Sequence, residues 1–157
     1  MMQSKRFRAL AMVGALTLAV CTGTTAMAEE AAPMGNSPEI QKIFQMSEGM
    51  DVPSVSFKFT LEKVTADAPT AQVSPINYNS NTDKGNLTNG VYLMQKNQQI
   101  NFGEFPHAGK YTYKVTEVNE SVTNTNITYD QNTYYMDVYV ENTENGLQIA
   151  NTVARDG

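Results

Sequence analysis

From residue 38 onward, apolar and polar residues mostly alternate one for one, the period of β-strands, whose successive side chains point to opposite faces. In Gly109–Glu117, Tyr111, Tyr113 and Val115 share one face, and Thr112, Lys114 and Thr116 share the other. Residues 39–46 set Ile40, Lys42, Phe44 and Met46 on one face, and residues 55–64 do the same with Phe57, Phe59 and Leu61. Lys58 and Lys63 then read as solvent lysines. Residues 133–141 alternate Tyr134, Met136, Val138 and Val140 with Tyr135, Asp137, Tyr139 and Glu141. In residues 147–154 the apolar-led face is Leu147, Ile149, Asn151 and Val153. Shorter strands are predicted over 91–94 and over 100–105, the latter with Phe102 and Phe105. The punctuation between them is equally clear. Turns are predicted at residues 48–53, at Pro106-His107-Ala108-Gly109 and at the hairpin signal Glu144-Asn145-Gly146. Residues 65–90, rich in Asn, Asp, Thr, Pro and Gly, read as a long loop, at most with a weak edge strand, and residues 118–126 as a polar connection. No stretch of this part shows a sustained helical period. The pattern predicts an all-β sandwich.

The start of the chain follows another rule. Lys5, Arg6 and Arg8 precede an apolar run over residues 9–20, and Ala26-Met27-Ala28 supplies small residues for cleavage before Glu29. This is the form of a secretory leader over residues 1–28. The apolar run is shorter than the roughly 20 residues a membrane span needs. A competing lipidation site at Leu18-Ala19-Val20-Cys21 has Val20 where Gly, Ala or Ser is wanted. Cleavage would leave a flexible lead, residues 29–37, and one domain over residues 38–157. It would also leave 8 basic against 16 acidic residues, a formal charge of −8. That balance argues against nucleic acid or an anionic membrane as partner. The only cysteine, Cys21, would leave with the leader, so the exported domain cannot rely on a disulfide. His107 is the only histidine, which speaks against a structural metal, and its place on a turn predicts an exposed side chain.

Two charges break the pattern. Lys42 falls on an apolar face, and Glu117 continues the face of Tyr111, Tyr113 and Val115. Lys42 alone reads as a surface lysine that snorkels to water. Taken together, the two suggest a buried pair, in which burial lowers a lysine pKa and raises a glutamate pKa. A neutral amine is a nucleophile and a protonated acid a proton donor. With a carboxamide in reach they could make an amide cross-link and release ammonia. A plain buried salt bridge, of little net stabilising value, explains the same parity. The residues leave both readings open. There is no phosphate loop, Gly-x-Ser-x-Gly or metal-ligand cluster, and no cofactor is expected.

Three stretches together resemble a known family. They are Phe57-Lys58-Phe59-Thr60-Leu61, the run from Phe105 to Glu117 containing Gly-x-Tyr-x-Tyr-x-Val-x-Glu, and Ile127-Thr128-Tyr129-Asp130 followed by Tyr134 to Val140. Over residues 38–154 the chain resembles the streptococcal-type major pilin domain, the isopeptide-linked shaft domain of Gram-positive sortase-assembled pili. The resemblance implies an Ig-like β-sandwich carrying an intramolecular Lys–Asn bond, with Glu117 as catalyst and Lys42 as the amine. The family's acceptor is an asparagine on the final strand, beside the first. Asn151 imitates that context, whereas the spacing matches residues 147–154 to the family's penultimate strand and places the acceptor strand beyond Gly157. The implied function is a structural subunit or stalk module of a surface pilus, not an enzyme beyond its single self-directed turnover. Its implied partners are other pilin subunits or cell-wall surface proteins, joined by sortase. Two other readings remain. One is a ligand-binding adhesin that uses residues 65–100, with Tyr78 and Tyr92 as contacts. The other is a secreted fragment that accepts a strand from another subunit at an open edge.

Overall fold

A computed structural model describes the backbone of residues 9–13 and the whole of residues 37–49, 54–79, 82–83, 85–120 and 127–157. Apart from Ser37 and residues 9–13, the expected leader and flexible lead lie outside the described residues. The chain forms β1 (Ala9–Val13), β2 (Glu39–Ser47), β3 (Val55–Phe57), β4 (Phe59–Lys63), β5 (Ala71–Val73), β6 (Ile76–Tyr78), β7 (Asn86–Thr88), β8 (Val91–Phe102), β9 (Gly109–Glu117), β10 (Thr133–Thr143) and β11 (Gly146–Asp156). The described residues are all-β, as the alternation requires, in the Ig-like sandwich arrangement. One sheet runs β1-β2-β8-β5, with β7 also on β8; the other runs β11-β10-β9-β4; β3 and β6 form a two-stranded ribbon. Every pairing is antiparallel.

The inward faces of β2, β9 and β10 make the core. Ile40, Phe44, Tyr111, Tyr113, Met136 and Val138 are at most 1% exposed, so the predicted faces of these strands are the observed ones. Phe57 joins them in an aromatic cluster, its ring centroid 5.3 Å from Phe44, 5.8 Å from Tyr78 and 5.8 Å from Tyr129.

Four features depart from the sequence pattern. The expected strand over 55–64 breaks at Lys58: β3 pairs with β6, β4 pairs with β9, and the Lys58 carbonyl accepts the Val118 N–H at 2.9 Å. The segment therefore turns a corner between sheets, as sandwich strands do at such breaks. Second, the strands expected over 91–94 and 100–105 form one strand, β8. Its polar middle stays extended because β2 pairs with it from Ser47↔Val91 to Glu39↔Gln99 and satisfies its backbone. Third, the loop expected over 65–90 contains β5, β6 and β7.

The fourth departure is in β11. Its register on β10 slips between Tyr139↔Asn151 and Val140↔Ile149, leaving Ala150 as the extra residue of a bulge. Beyond a bulge the faces exchange. Ile149 is buried before it and Thr152 after it, while Asn151 and Val153 are exposed. The expectation that Asn151 faces inward is thus corrected, because simple alternation does not count the inserted residue.

Candidate functional site: a buried lysine–glutamate pair

Lys42 occupies the middle of β2 and Glu117 the last position of β9. Alternation in each strand turns both side chains into the space between the sheets. Neither side chain has any exposed surface, and the Lys42 Nζ lies directly against Glu117 Oε1. The snorkelling reading of Lys42 therefore does not hold. Phe57 walls the pair, its ring centroid 4.4 Å from Nζ, within cation–π range. The Tyr78 hydroxyl, arriving from β6, is shared by the backbone carbonyls of Lys42 and Met94 and ties β2 to β8 beside the site. On the other side the Asp130 N–H donates to Glu117 Oε2 at 2.6 Å.

Among the described residues, Nζ and Oε1 have no hydrogen-bond partner besides each other. An ammonium has three protons to donate, so two would be unsatisfied in this buried, aromatic space. Burial accordingly lowers the Lys42 pKa, against the opposing attraction of Glu117. Burial raises the Glu117 pKa, against Lys42 and the Asp130 amide. Both shifts favour neutral amine beside neutral acid.

Burial from solvent and shifts towards the neutral forms are what amide formation between side chains asks of an amine and an adjacent proton donor. A family model described as FctA, a Spy0128-like isopeptide containing domain, matches residues 38–156. The chain belongs to this family. Comparison with curated proteins and with solved structures gave no match. This pilin-type domain is thereby of a class found in extracellular surface pili and is not of an enzyme family. Among the described residues no helix is long and apolar enough to cross a membrane, and no group of three or more potential metal ligands occurs.

The remaining expected residues sit elsewhere in the pilin domain. Asn151 is exposed on the edge strand β11, its Oδ1 accepting the Thr152 N–H at 2.9 Å. Through Tyr139 it is level with Lys110 on β9, seven residues from Glu117. At 3.3 Å per residue that is roughly 23 Å, so the fold does not bring Asn151 to the pair. Ala28 and Glu29, the expected cleavage site, lie outside the described residues. His107 is exposed, as expected of a turn residue, with Nε2 2.7 Å from Asp67. Tyr78, a contact residue in the adhesin reading, is 2% exposed and belongs to the core.

Strand parity singled out Lys42 and Glu117 and set Phe57 on the apolar face, but did not show that Phe57 walls the pair, that the Tyr78 hydroxyl binds beside it or that Asp130 donates to Glu117. That Phe57 and Tyr78 meet the pair is a long-range contact with no sequence signal. Asp130 does have one: Asp-x-Asn ahead of a strand is an Asx-turn pattern.

Proposed function

We propose that this pilin domain is a structural subunit or stalk module of a Gram-positive surface pilus, secreted by way of the leader and assembled with other pilin subunits by sortase. In it Lys42 and Glu117 form an autocatalytic Lys–Asn cross-link. The supporting observation is the fully buried Lys42–Glu117 pair, whose Nζ and Oε1 have no other partner among the described residues and which lies against Phe57.

In the proposed reaction the neutral Lys42 amine attacks the Cγ of an asparagine side chain. Glu117 protonates the carbonyl oxygen, takes a proton from the attacking nitrogen and passes it to the departing amide nitrogen, then recovers the oxygen's proton as the carbonyl re-forms. The new bond is Nζ–Cγ, the broken bond is Cγ–Nδ2, and one ammonia leaves. The asparagine belongs to a strand on the outer edge of β2. β1 supports that placement: it pairs there over five residues, with Ala11 opposite Lys42. Removal of the leader would vacate this edge for an acceptor strand following Gly157. A cross-link between first and last strands would bar their peeling under tension, the route by which a sandwich under load opens.

Intact mass tests this reading. A chain extended beyond Gly157 by its native continuation is expected to weigh about 17 Da less than its sequence mass, the ammonia lost in the acyl transfer. Lys42→Ala and Glu117→Ala should each abolish the deficit. An unshifted mass in the extended chain would overturn the cross-link. The same spectrum reads the leader: the secreted form should begin at Glu29.

A companion expectation concerns the β2 edge. In a chain beginning at Glu29, the outward amides of β2 should exchange with deuterium at least tenfold faster than in the precursor, because their strand partner is gone. Equal exchange in the two forms would contradict the vacated edge.

A further inference from the structure

Among the described residues the Glu117 carboxyl is gripped at one oxygen only, and the grip comes from a loop rather than from a strand. Oε2 accepts the Asp130 N–H at 2.6 Å, while Oε1 faces Lys42. The loop is itself stapled by the Asp130 side chain. Its Oδ1 accepts the Asn132 N–H at 2.9 Å, closing an Asx turn, and its Oδ2 accepts the Tyr134 hydroxyl at 2.6 Å. Tyr134 stands near the start of β10, whose register on β9 puts Thr133 opposite Thr116, the neighbour of Glu117. One carboxylate thus joins the frame of β10 to the backbone donor that holds Glu117.

We propose that Asp130 and Tyr134 are positioning residues that fix the Glu117 carboxyl by Oε2 and so confine its transferable proton to Oε1, beside Lys42. The inference deepens the cross-linking function proposed above and rests on it for its purpose, though not for its geometry. A backbone N–H can only donate. An oxygen already receiving it at 2.6 Å is an acceptor and is a poor site for a proton of its own. The proton of the neutral acid then sits on Oε1, where the amine and the incoming carboxamide meet. Without the staple the carboxyl could rotate and present either oxygen, and correct orientation of such a group is worth a large part of a rate.

Amide hydrogen exchange and the Glu117 carboxyl carbon NMR signal test the arrangement, with the Val115 amide reporting general loosening of the sheet. Tyr134→Phe should speed exchange at the residue 130 amide about tenfold relative to Val115, the equivalent of one ordinary hydrogen bond. Asp130→Ala, which loses both side-chain bonds, should speed it roughly a hundredfold by the same measure and shift the Glu117 carboxyl signal. Asp130→Asn keeps an acceptor for the Asn132 N–H and should restore most of the protection and return the Glu117 signal towards its native position. The proposal is overturned if Asp130→Ala leaves the Glu117 signal unmoved, if Val115 accelerates equally, or if Asn rescues nothing. Should Asp130→Ala not fold, Tyr134→Phe alone decides by the same comparison. None of these readouts requires the cross-link. Its absence by mass would refute the function while leaving the positioning result intact. A normal mass deficit with an unmoved Glu117 signal would refute only the positioning.

Discussion

Lys42→Met is expected to destabilise the uncross-linked domain by about 3–5 kcal/mol at neutral pH, the usual cost of leaving one member of a buried ion pair without the other. The loss should also acquire a pH dependence that the native domain lacks. In the native domain, burial holds Lys42 below its ordinary 10.5 and Glu117 above its ordinary 4.5. Taken singly, the lowered lysine would make stability rise with pH and the raised glutamate would make it fall. The two share one proton, however. The folded pair holds one whether it is written as ammonium–carboxylate or as amine–acid, and the unfolded chain between pH 4.5 and 10.5 also holds one, on the lysine. The pair therefore contributes a plateau across that range. Below it the unfolded glutamate takes up a second proton, and above it the unfolded lysine loses its own; both changes favour unfolding.

In Lys42→Met the cancellation is gone. Glu117 remains buried without its attracting partner, so its pKa rises further. Over the window from 4.5 up to that pKa the folded state binds the extra proton. Stability then falls as pH rises, by up to about 1.4 kcal/mol per unit. Urea unfolding of native and variant chains at pH 4 and pH 8 measures the effect. The variant should lie much closer to the native chain at the acid end. A pH-independent difference would show that Glu117 is charged in the folded state. Lys42→Met combined with Glu117→Leu removes both charges and should return stability to within about 1 kcal/mol of the native value or above it. Such recovery would mean that the pair is retained for chemistry rather than for stability.

Phe57→Ala should have an effect of similar size by a different route. Phe57 is fully buried, packs against Phe44, Tyr78 and Tyr129, and lies beneath the Lys42 amine. Truncating such a ring typically costs about 3–5 kcal/mol through lost burial and the cavity left behind. The cavity here would border two polar atoms, Lys42 Nζ and Glu117 Oε1, that lack other partners among the described residues, so water would enter it. Rehydration should carry the Lys42 pKa back up and the Glu117 pKa back down towards their ordinary values. Thermal unfolding gives the first quantity and an NMR titration of the Lys42 amine the second. Phe57→Leu, closer in volume and still apolar, should cost less and leave the site dry. If Phe57→Ala lowers stability while the lysine titrates as before, the ring is a packing residue and not the barrier that keeps the pair neutral.

How much of this was legible in the chain depended on the range of the forces involved. Alternation is local, and it correctly assigned the faces of β2, β9 and β10 and turned Lys42 and Glu117 inward, since a residue's face follows from its parity within a strand. The same rule failed on β11. A single inserted residue at Ala150 reversed the parity and moved Asn151 to the surface. It also missed the continuity of β8, whose polar middle has no alternation to read and is extended only because β2 lies along it.

Local alternation was enough for an all-β domain with one lysine and one glutamate on the wrong faces, because side-chain direction in a strand needs no knowledge of the neighbours. The folded arrangement alone settled that these two charges meet. It also decided that Phe57 walls them, that the Asp130 amide holds one oxygen of the acid, and that Asn151 is far away. Each of those facts is a contact between distant segments, and such contacts are set by sheet pairing, a corner at Lys58 and one bulge rather than by local pattern.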